Sequence, residues 1–142
     1  MDQSALLFRK VNNMDDRLAE IVTKQRVIVD RWMDLQKMTT PDKEKKTQEF
    51  LLAIIAEVGE ILNGETDGEH VGSATKGSGA IRWKSWKTQQ GEPNPDYVKT
   101  ELIDIFHFVL ELLIIWGADA DEIYARYMGK NAENIKRYNN GY

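Results

Sequence analysis

Cysteine is absent from the 142 residues of this chain, which excludes a disulfide framework and leaves nothing in the composition that favours secretion. The first residues, Met1-Asp-Gln-Ser, also lack the basic and apolar regions of a secretory signal peptide. The longest apolar run is too short to span a bilayer and is interrupted by Glu111. We therefore expect a cytoplasmic protein that does not enter a membrane.

An excess of positive charge is lacking as well, since the formal net charge is −4. Proteins that bind nucleic acid without sequence preference are usually basic, so we expect no nucleic-acid partner. A chain of this length can bury one sizeable core but is short for two. The sequence therefore predicts a single domain over residues 1–142.

Internal repeats and strand-like alternation do not stand out, whereas apolar residues recur at three- and four-residue steps almost throughout. Thr40-Pro41-Asp42 is typical of a helix start, and Asn63-Gly64 is typical of a helix end. The fold class is therefore predicted to be all-α, a bundle of four to five main helices. The periodic segments cover residues 3–37 (one helix or two collinear ones), 42–63, 95–117 and 119–138.

The stretch between the second and third segments, residues 64–79, is rich in glycine and has almost no apolar residues. Such a composition is typical of a flexible insert. It fits a lid over a bound ligand and a plain linker equally well, and both interpretations stay open.

The third segment carries four ionisable residues within one arc of about 120° on an otherwise apolar helix. These residues are Glu101, Asp104, His107 and Glu111. A helix that is apolar on its other sides should be covered by protein, and an unpaired buried carboxylate is costly. Glu101 and Asp104 should therefore meet either a metal ion or a lysine or arginine from elsewhere. His107 is more typical of a hydrogen-bonded residue of the core or of the layer behind the metal ligands, and Glu111 of a salt-bridge partner.

A second acidic pair, Glu57 and Glu60, lies beside the apolar stripe of the second segment. Residues three apart are neighbours on a helix surface. Such a pair alone is common on solvated faces, but with Glu101 and Asp104 it can bring four carboxylates to one point. Hard divalent cations prefer oxygen ligands, and Mg²⁺ also takes substrate phosphate. The two pairs together predict a metal site.

The last segment carries basic and amide side chains, Lys130, Asn134 and Arg137, on one helical face. This stripe is either an ordinary solvated surface or, beside a metal site, a surface that holds a polyphosphate. Trp83 and Trp86 alternate with two lysines. The tryptophans favour either base stacking or packing in a core or interface, and the interleaved Lys84 and Lys87 are candidates for phosphate contacts.

The order of these motifs resembles that of the dimeric dUTPases, which belong to the all-α nucleoside triphosphate pyrophosphatases alongside MazG-like enzymes and dCTP pyrophosphatases. The likeness runs from about residue 8 to the end of the chain. The ExxE and ExxD motifs at 57–60 and 101–104 define only the superfamily. The Trp-Lys segment at 83–87 and the ending at 130–142, with Lys-Asn, Asn, Arg and Gly-Tyr, point to dUTPase.

The resemblance implies a homodimer that hydrolyses dUTP to dUMP and pyrophosphate with two or three Mg²⁺ ions per site. Water attacks the α-phosphorus in this reaction, and Glu57 is the favoured base. The implied catalytic and metal-binding residues are Glu57, Glu60, Glu101 and Asp104. The implied phosphate-binding residues are Lys130, Arg137 and Tyr142. The candidates for nucleoside binding are Asn13, Asp16, Trp83, Phe108 and Asn134.

The sequence departs from the family pattern in three places, and the first of them bears on base preference. The family's first motif, which corresponds to the segment around Asn13 and Asp16, usually carries a glutamine that reads uracil, whereas Asn12 and Asn13 stand nearby here. Tyr138 stands where a glutamine is common in the family. The insert at 64–79 makes the gap between the ExxE and ExxD motifs longer than usual. One alternative is therefore a pyrophosphatase of dCTP or of a broad set of nucleotides. The other is a noncatalytic helical protein with a regulatory or interaction role. Short family members often occur in phages and their hosts, so we expect a phage context.

Overall fold

The computed structural model describes residues 16–63, 81, 83, 85 and 92–141. Within these residues it contains four α-helices and no strand, so the predicted all-α class is confirmed. The helices are α1 (Arg17–Trp32), α2 (Thr40–Asn63), α3 (Pro95–Ile115) and α4 (Ala120–Asn139). None of these four helices has the combination of length and apolar character that crossing a membrane requires. The predicted insert at 64–79 lies outside the described residues.

Local side-chain chemistry sets the helix starts. The Asp16 carboxylate accepts a hydrogen bond from the Ala19 backbone N–H at 3.0 Å and caps α1. Thr39 and Asp42 bond to each other across the first turn of α2, with 2.9 Å from Thr39 N to Asp42 Oδ2. Asp119 caps α4 by accepting from Glu122 N at 2.8 Å.

The junctions around α3 use the same kind of chemistry. Asn94 Oδ1 accepts from Asp96 N at 3.0 Å, immediately before Pro95 opens the helix. At the other end Gly117 adopts a positive φ of 89°, and the N–H groups of Gly117 and Ala118 bond back to Ile114 O and Leu113 O, both at 2.9 Å. This is a Schellman motif, in which glycine adopts the left-handed conformation without strain. It explains why α3 stops just before the predicted end at 117.

The first predicted helix is the least accurate, because α1 ends at Trp32 rather than at 37. Met33 is extended, and Lys37 N bonds to Asp34 O at 3.0 Å in a turn. Leu35 continues the apolar spacing past the true helix end, so periodicity alone predicts a longer helix. The predicted start at residue 3 lies outside the described residues.

The chain divides into two compact units. One comprises Met1–Lys37 with Leu113–Tyr142, where α1 packs against α4. Val22 and Val29 of α1 are buried in this unit, as are Ile114 and Ile115. The single domain predicted for residues 1–142 stays a prediction, because compactness alone does not show whether a unit folds by itself.

The other unit, Met38–Leu112, contains α2 and most of α3. Tyr97 of α3 contacts Glu60 of α2, and Phe108 contacts Phe50. Residue numbers thus rise along α3 as they fall along α2, so the two helices run antiparallel. Leu110 and Ile61 are buried here. Many large apolar side chains of the two helices are nevertheless exposed, namely Leu51, Leu52, Ile55, Val58, Leu102, Ile103, Phe106 and Val109.

Candidate metal centre

Three carboxylates meet where α2 faces α3. Glu57, Glu101 and Asp104 each offer an oxygen, and these three oxygens all lie within 4.8 Å of one another. Glu101 and Asp104 lie three residues apart and share one face of α3, while Glu57 comes from the facing helix. Glu101 is only 7% exposed, and the other two are partly buried. The structure thus brings together three of the four residues predicted to bind metal.

Glu60, the fourth predicted ligand, is exposed and is not a member of this three-carboxylate cluster. Its charge nevertheless acts on Glu101, whose pKa it helps to raise. Glu60 therefore adds negative charge to the centre. Its part as a direct metal ligand stays a prediction.

The electrostatics of the cluster are unfavourable without a cation. Burial, a hydrogen bond with Glu57 and the charges of Glu60, Glu57 and Asp104 together raise the pKa of Glu101 to about 7, and burial is the largest cause. None of the ion pairs between described residues involves a member of the cluster. The alternative of separate buried salt bridges therefore finds no support among the described residues. Crowded, uncompensated carboxylates of this kind take up either a proton or a cation.

The donor set fits a hard divalent cation. Three carboxylate oxygens within 4.8 Å of one another can contact one ion or bridge two. Nitrogen and sulfur donors are not part of this cluster. His107 lies exposed on α3, so its predicted core position is wrong, and a place behind the metal ligands stays a prediction. Oxygen-only donors favour Mg²⁺, Mn²⁺ or Ca²⁺ over the softer transition metals.

The C-terminal turn of α2, which follows Glu57, is held by groups from outside the helix. The Tyr97 hydroxyl donates to the Glu60 carbonyl at 3.1 Å, and the Ile81 N–H donates to the Ile61 carbonyl at 3.0 Å. The indole N–H of Trp83 donates to the Leu62 carbonyl at 2.9 Å. The last four carbonyls of a helix have no partner within it, so these bonds satisfy three of them.

Tyr97 was not among the predicted site residues. One signal in the sequence could have drawn attention to it, because Tyr97 precedes Glu101 by four residues and so shares its helical face. Its partner on α2 is 37 residues away, and helical periodicity carries no information about that pairing.

Phe108 and Trp83 were predicted to contact the nucleoside, and the structure gives both of them other contacts. The Phe108 ring packs against Phe50, with centroids 5.7 Å apart. The indole N–H of Trp83 donates to the Leu62 carbonyl of α2, and the residue is 45% exposed. These contacts leave the nucleoside-binding role as a prediction for both residues.

The predicted phosphate-binding cations on α4 share one partner. The Lys130 ammonium donates to Glu133 Oε2 at 2.9 Å, and the Arg137 guanidinium donates to Glu133 Oε1. Asn134 is exposed on the same helix, and Asp16 caps α1. Four further predicted site residues lie outside the described residues, namely Asn13, Lys84, Lys87 and Tyr142.

Comparison with known proteins finds relatives in phages. No protein-family model and no solved structure matches the chain. It is 31% identical over 122 residues to the dCTP pyrophosphatase of Enterobacteria phage T4, a match that covers 78% of this chain and 61% of that protein. It is 37% identical over 92 residues to the dCTP pyrophosphatase of Enterobacteria phage LZ5, covering 57% of this chain and 49% of that protein.

A third relative is the DNA replication protein of phage T4, which is 30% identical over 118 residues; the match covers 74% of this chain and 26% of that protein. In all three cases the chain spans less than two thirds of the relative. The chain is therefore similar to part of two phage proteins named dCTP pyrophosphatase, at 31% and 37% identity.

Proposed function

We propose that this chain is a nucleoside triphosphate pyrophosphatase that hydrolyses dCTP to dCMP and pyrophosphate. The observation that carries this proposal is the half-buried cluster of Glu57, Glu101 and Asp104, whose negative charges a bound cation would neutralise. The names of the two phage relatives favour this reaction class. They also favour cytosine over the uracil that the family resemblance implies, so dUTP becomes the second candidate substrate.

Mg²⁺ is the proposed cofactor, held by the three clustered carboxylates with Glu60 as a further ligand. All four residues supply oxygen donors, which suits this ion. When bound, such ions lower the pKa of water, orient phosphates and neutralise charge on a leaving pyrophosphate. A count of two or three ions per site follows from the family resemblance.

The side chains of the cluster divide the proposed work. Glu101 is the most buried of the three and serves as a fixed negative anchor. Glu57, on the facing helix, accepts a proton at its carboxylate from the water that attacks the α-phosphorus. A bond forms between that water oxygen and the α-phosphorus. The bond between the α-phosphorus and the oxygen that bridges the α- and β-phosphates breaks, so pyrophosphate leaves.

The remaining binding roles are proposals from the family resemblance. The residues proposed to hold phosphate are Lys84, Lys87, Lys130, Arg137 and Tyr142. On substrate binding, Lys130 and Arg137 would leave the Glu133 carboxylate and donate to phosphate oxygens instead. The nucleoside would contact Asn13, Asp16, Trp83, Phe108 and Asn134. The exposed apolar side chains of α2 and α3 support a homodimeric assembly.

A direct test measures pyrophosphate release from dCTP, dUTP, dTTP and UTP at one concentration, with and without Mg²⁺. We expect release to be fastest with dCTP and to stop when the divalent ion is removed. Faster turnover of dUTP would overturn the base preference but keep the reaction class. If no nucleotide yields pyrophosphate, the enzyme proposal fails and a noncatalytic helical protein becomes the better description.

A further inference from the structure

Two contacts between α2 and α3 bracket the carboxylate cluster. On one side, the Tyr97 hydroxyl donates to the Glu60 carbonyl at 3.1 Å. On the other side, the rings of Phe50 and Phe108 pack with their centroids 5.7 Å apart. Tyr97 and Phe108 each lie about one turn beyond a cluster residue of α3, with Glu101 and Asp104 between them. The cluster therefore sits between a polar contact and an aromatic contact.

The register of the two helices decides whether the cluster exists. A shift of one helix by a single residue moves a side chain about 1.5 Å along the axis and about 100° around it. Such a shift would separate Glu57 from the oxygens of Glu101 and Asp104, which now lie within 4.8 Å. When the carboxylates are ionised and no cation is bound, their mutual repulsion favours separation, so other contacts then hold the register.

The polar contact acts at the C-terminal end of α2, where the N–H groups of Ile81 and Trp83 also donate to helix carbonyls. The helix ends at Asn63, and its last carbonyls have no partner within it. Helix ends fray unless they are capped, and fraying here would displace Glu60 first and Glu57 next. The Tyr97 hydroxyl bonds to the backbone of Glu60 itself, within one turn of Glu57.

We propose that Tyr97 is a positioning residue of the metal centre. Its hydroxyl fixes the last turn of α2 against the first turns of α3, in the register at which Glu57 faces Glu101 and Asp104. This inference rests on the proposed function, because it requires that the cluster bind divalent ions. It assigns Tyr97 no contact with metal or substrate.

The test compares Tyr97→Phe with the wild-type protein. The substitution keeps the ring and removes only the hydroxyl. Mn²⁺ alone serves as the probe, titrated without nucleotide and followed by the loss of its free-ion electron paramagnetic resonance signal. We expect the dissociation constant for Mn²⁺ to rise about tenfold, the lower end of the range for groups that support metal ligands. Tyr127→Phe, at a tyrosine 67% exposed on α4, is the matched control and should bind Mn²⁺ like the wild type.

A purely structural role gives a different result. In that case Tyr97→Phe lowers the thermal unfolding midpoint of the metal-free protein but leaves Mn²⁺ affinity unchanged at temperatures where both proteins are folded. Unchanged affinity overturns the positioning role while the proposed function stands, provided the wild type binds Mn²⁺. A wild-type protein that binds no Mn²⁺ overturns both. A second readout is the Mg²⁺ concentration for half-maximal pyrophosphate release, which should rise in Tyr97→Phe while the KM for nucleotide at saturating Mg²⁺ stays constant.

Discussion

The carboxyl group of Glu101 lies where several physical effects act in one direction. Burial, the hydrogen bond with Glu57 and the nearby negative charges together raise its pKa from 4.5 to about 7. The folded state therefore holds a proton on Glu101 more tightly than the unfolded chain does. In the metal-free protein this contribution to stability is complete below pH 4.5 and is lost as the pH rises through about 7.

This shift predicts how the stability of the metal-free protein depends on pH. The free-energy difference between wild type and Glu101→Gln, measured by chemical denaturation at a series of pH values, should change between pH 4.5 and 7. Wild type should lose stability relative to the variant as the pH rises, because only wild type gains a buried charge. The two stability curves running parallel across this interval would contradict the raised pKa.

Asp104 gives a second prediction at this scale. Asp104→Asn removes one negative charge from the cluster and replaces one carboxylate oxygen with an amide nitrogen, which does not bind a hard cation. The initial rate of pyrophosphate release should fall more than about 100-fold, beyond the loss expected for a group that only supports a ligand. The metal-free variant should also unfold at a higher temperature at pH 8, because repulsion within the cluster is reduced. Asp30→Asn, at an exposed position on α1, should change neither quantity.

At the scale of elements, the helix ends were largely predictable because local chemistry sets them. Pro95 and Asn94 begin α3, and Gly117 ends the helical path with its positive φ. The acidic pairs were also visible, because residues three apart share a face whatever the tertiary structure. The bonds from Tyr97 and Trp83 to α2 join residues 37 and 21 positions apart, and no local pattern specifies them.

Trp83 offers a prediction that separates two roles. Trp83→Phe keeps an aromatic face but loses the indole N–H that donates to the Leu62 carbonyl. It should lower the thermal unfolding midpoint because a helix-end carbonyl loses its partner, and it should leave the KM for nucleotide unchanged. If Trp83 also stacks on the base, Trp83→Ala should raise the KM as well. A midpoint unaffected in both variants would argue against the capping role.

At the scale of the whole molecule, the exposed apolar side chains of α2 and α3 are the feature that most needs a partner. Leu52 is 66% exposed, and seven other large apolar residues of these helices are exposed with it. A large number of exposed apolar side chains on two neighbouring helices is typical of an interaction surface. The proposed homodimer would cover it with a second copy of the same surface.

Sedimentation velocity at micromolar concentration tests the homodimer. We expect the wild type to sediment as a dimer and Leu52→Glu to sediment as a monomer, because a charge placed in an apolar interface is costly. Gln48→Glu, at an exposed polar position on the same helix, should remain dimeric. A wild-type protein that sediments as a monomer would overturn the homodimer proposal and leave the metal-centre proposal unaffected.

The hydrogen bond from Ile81 N–H to the Ile61 carbonyl has a consequence for tolerance to changes in length. The chain leaves α2 after Asn63 and is back beside that helix at Ile81, so the intervening excursion begins and ends at one place. Doubling the length of such an excursion adds only about 0.6 kcal/mol of closure entropy. A change in the number of residues between these two points should therefore cost little closure free energy and leave the spacing of Glu57, Glu101 and Asp104 unchanged.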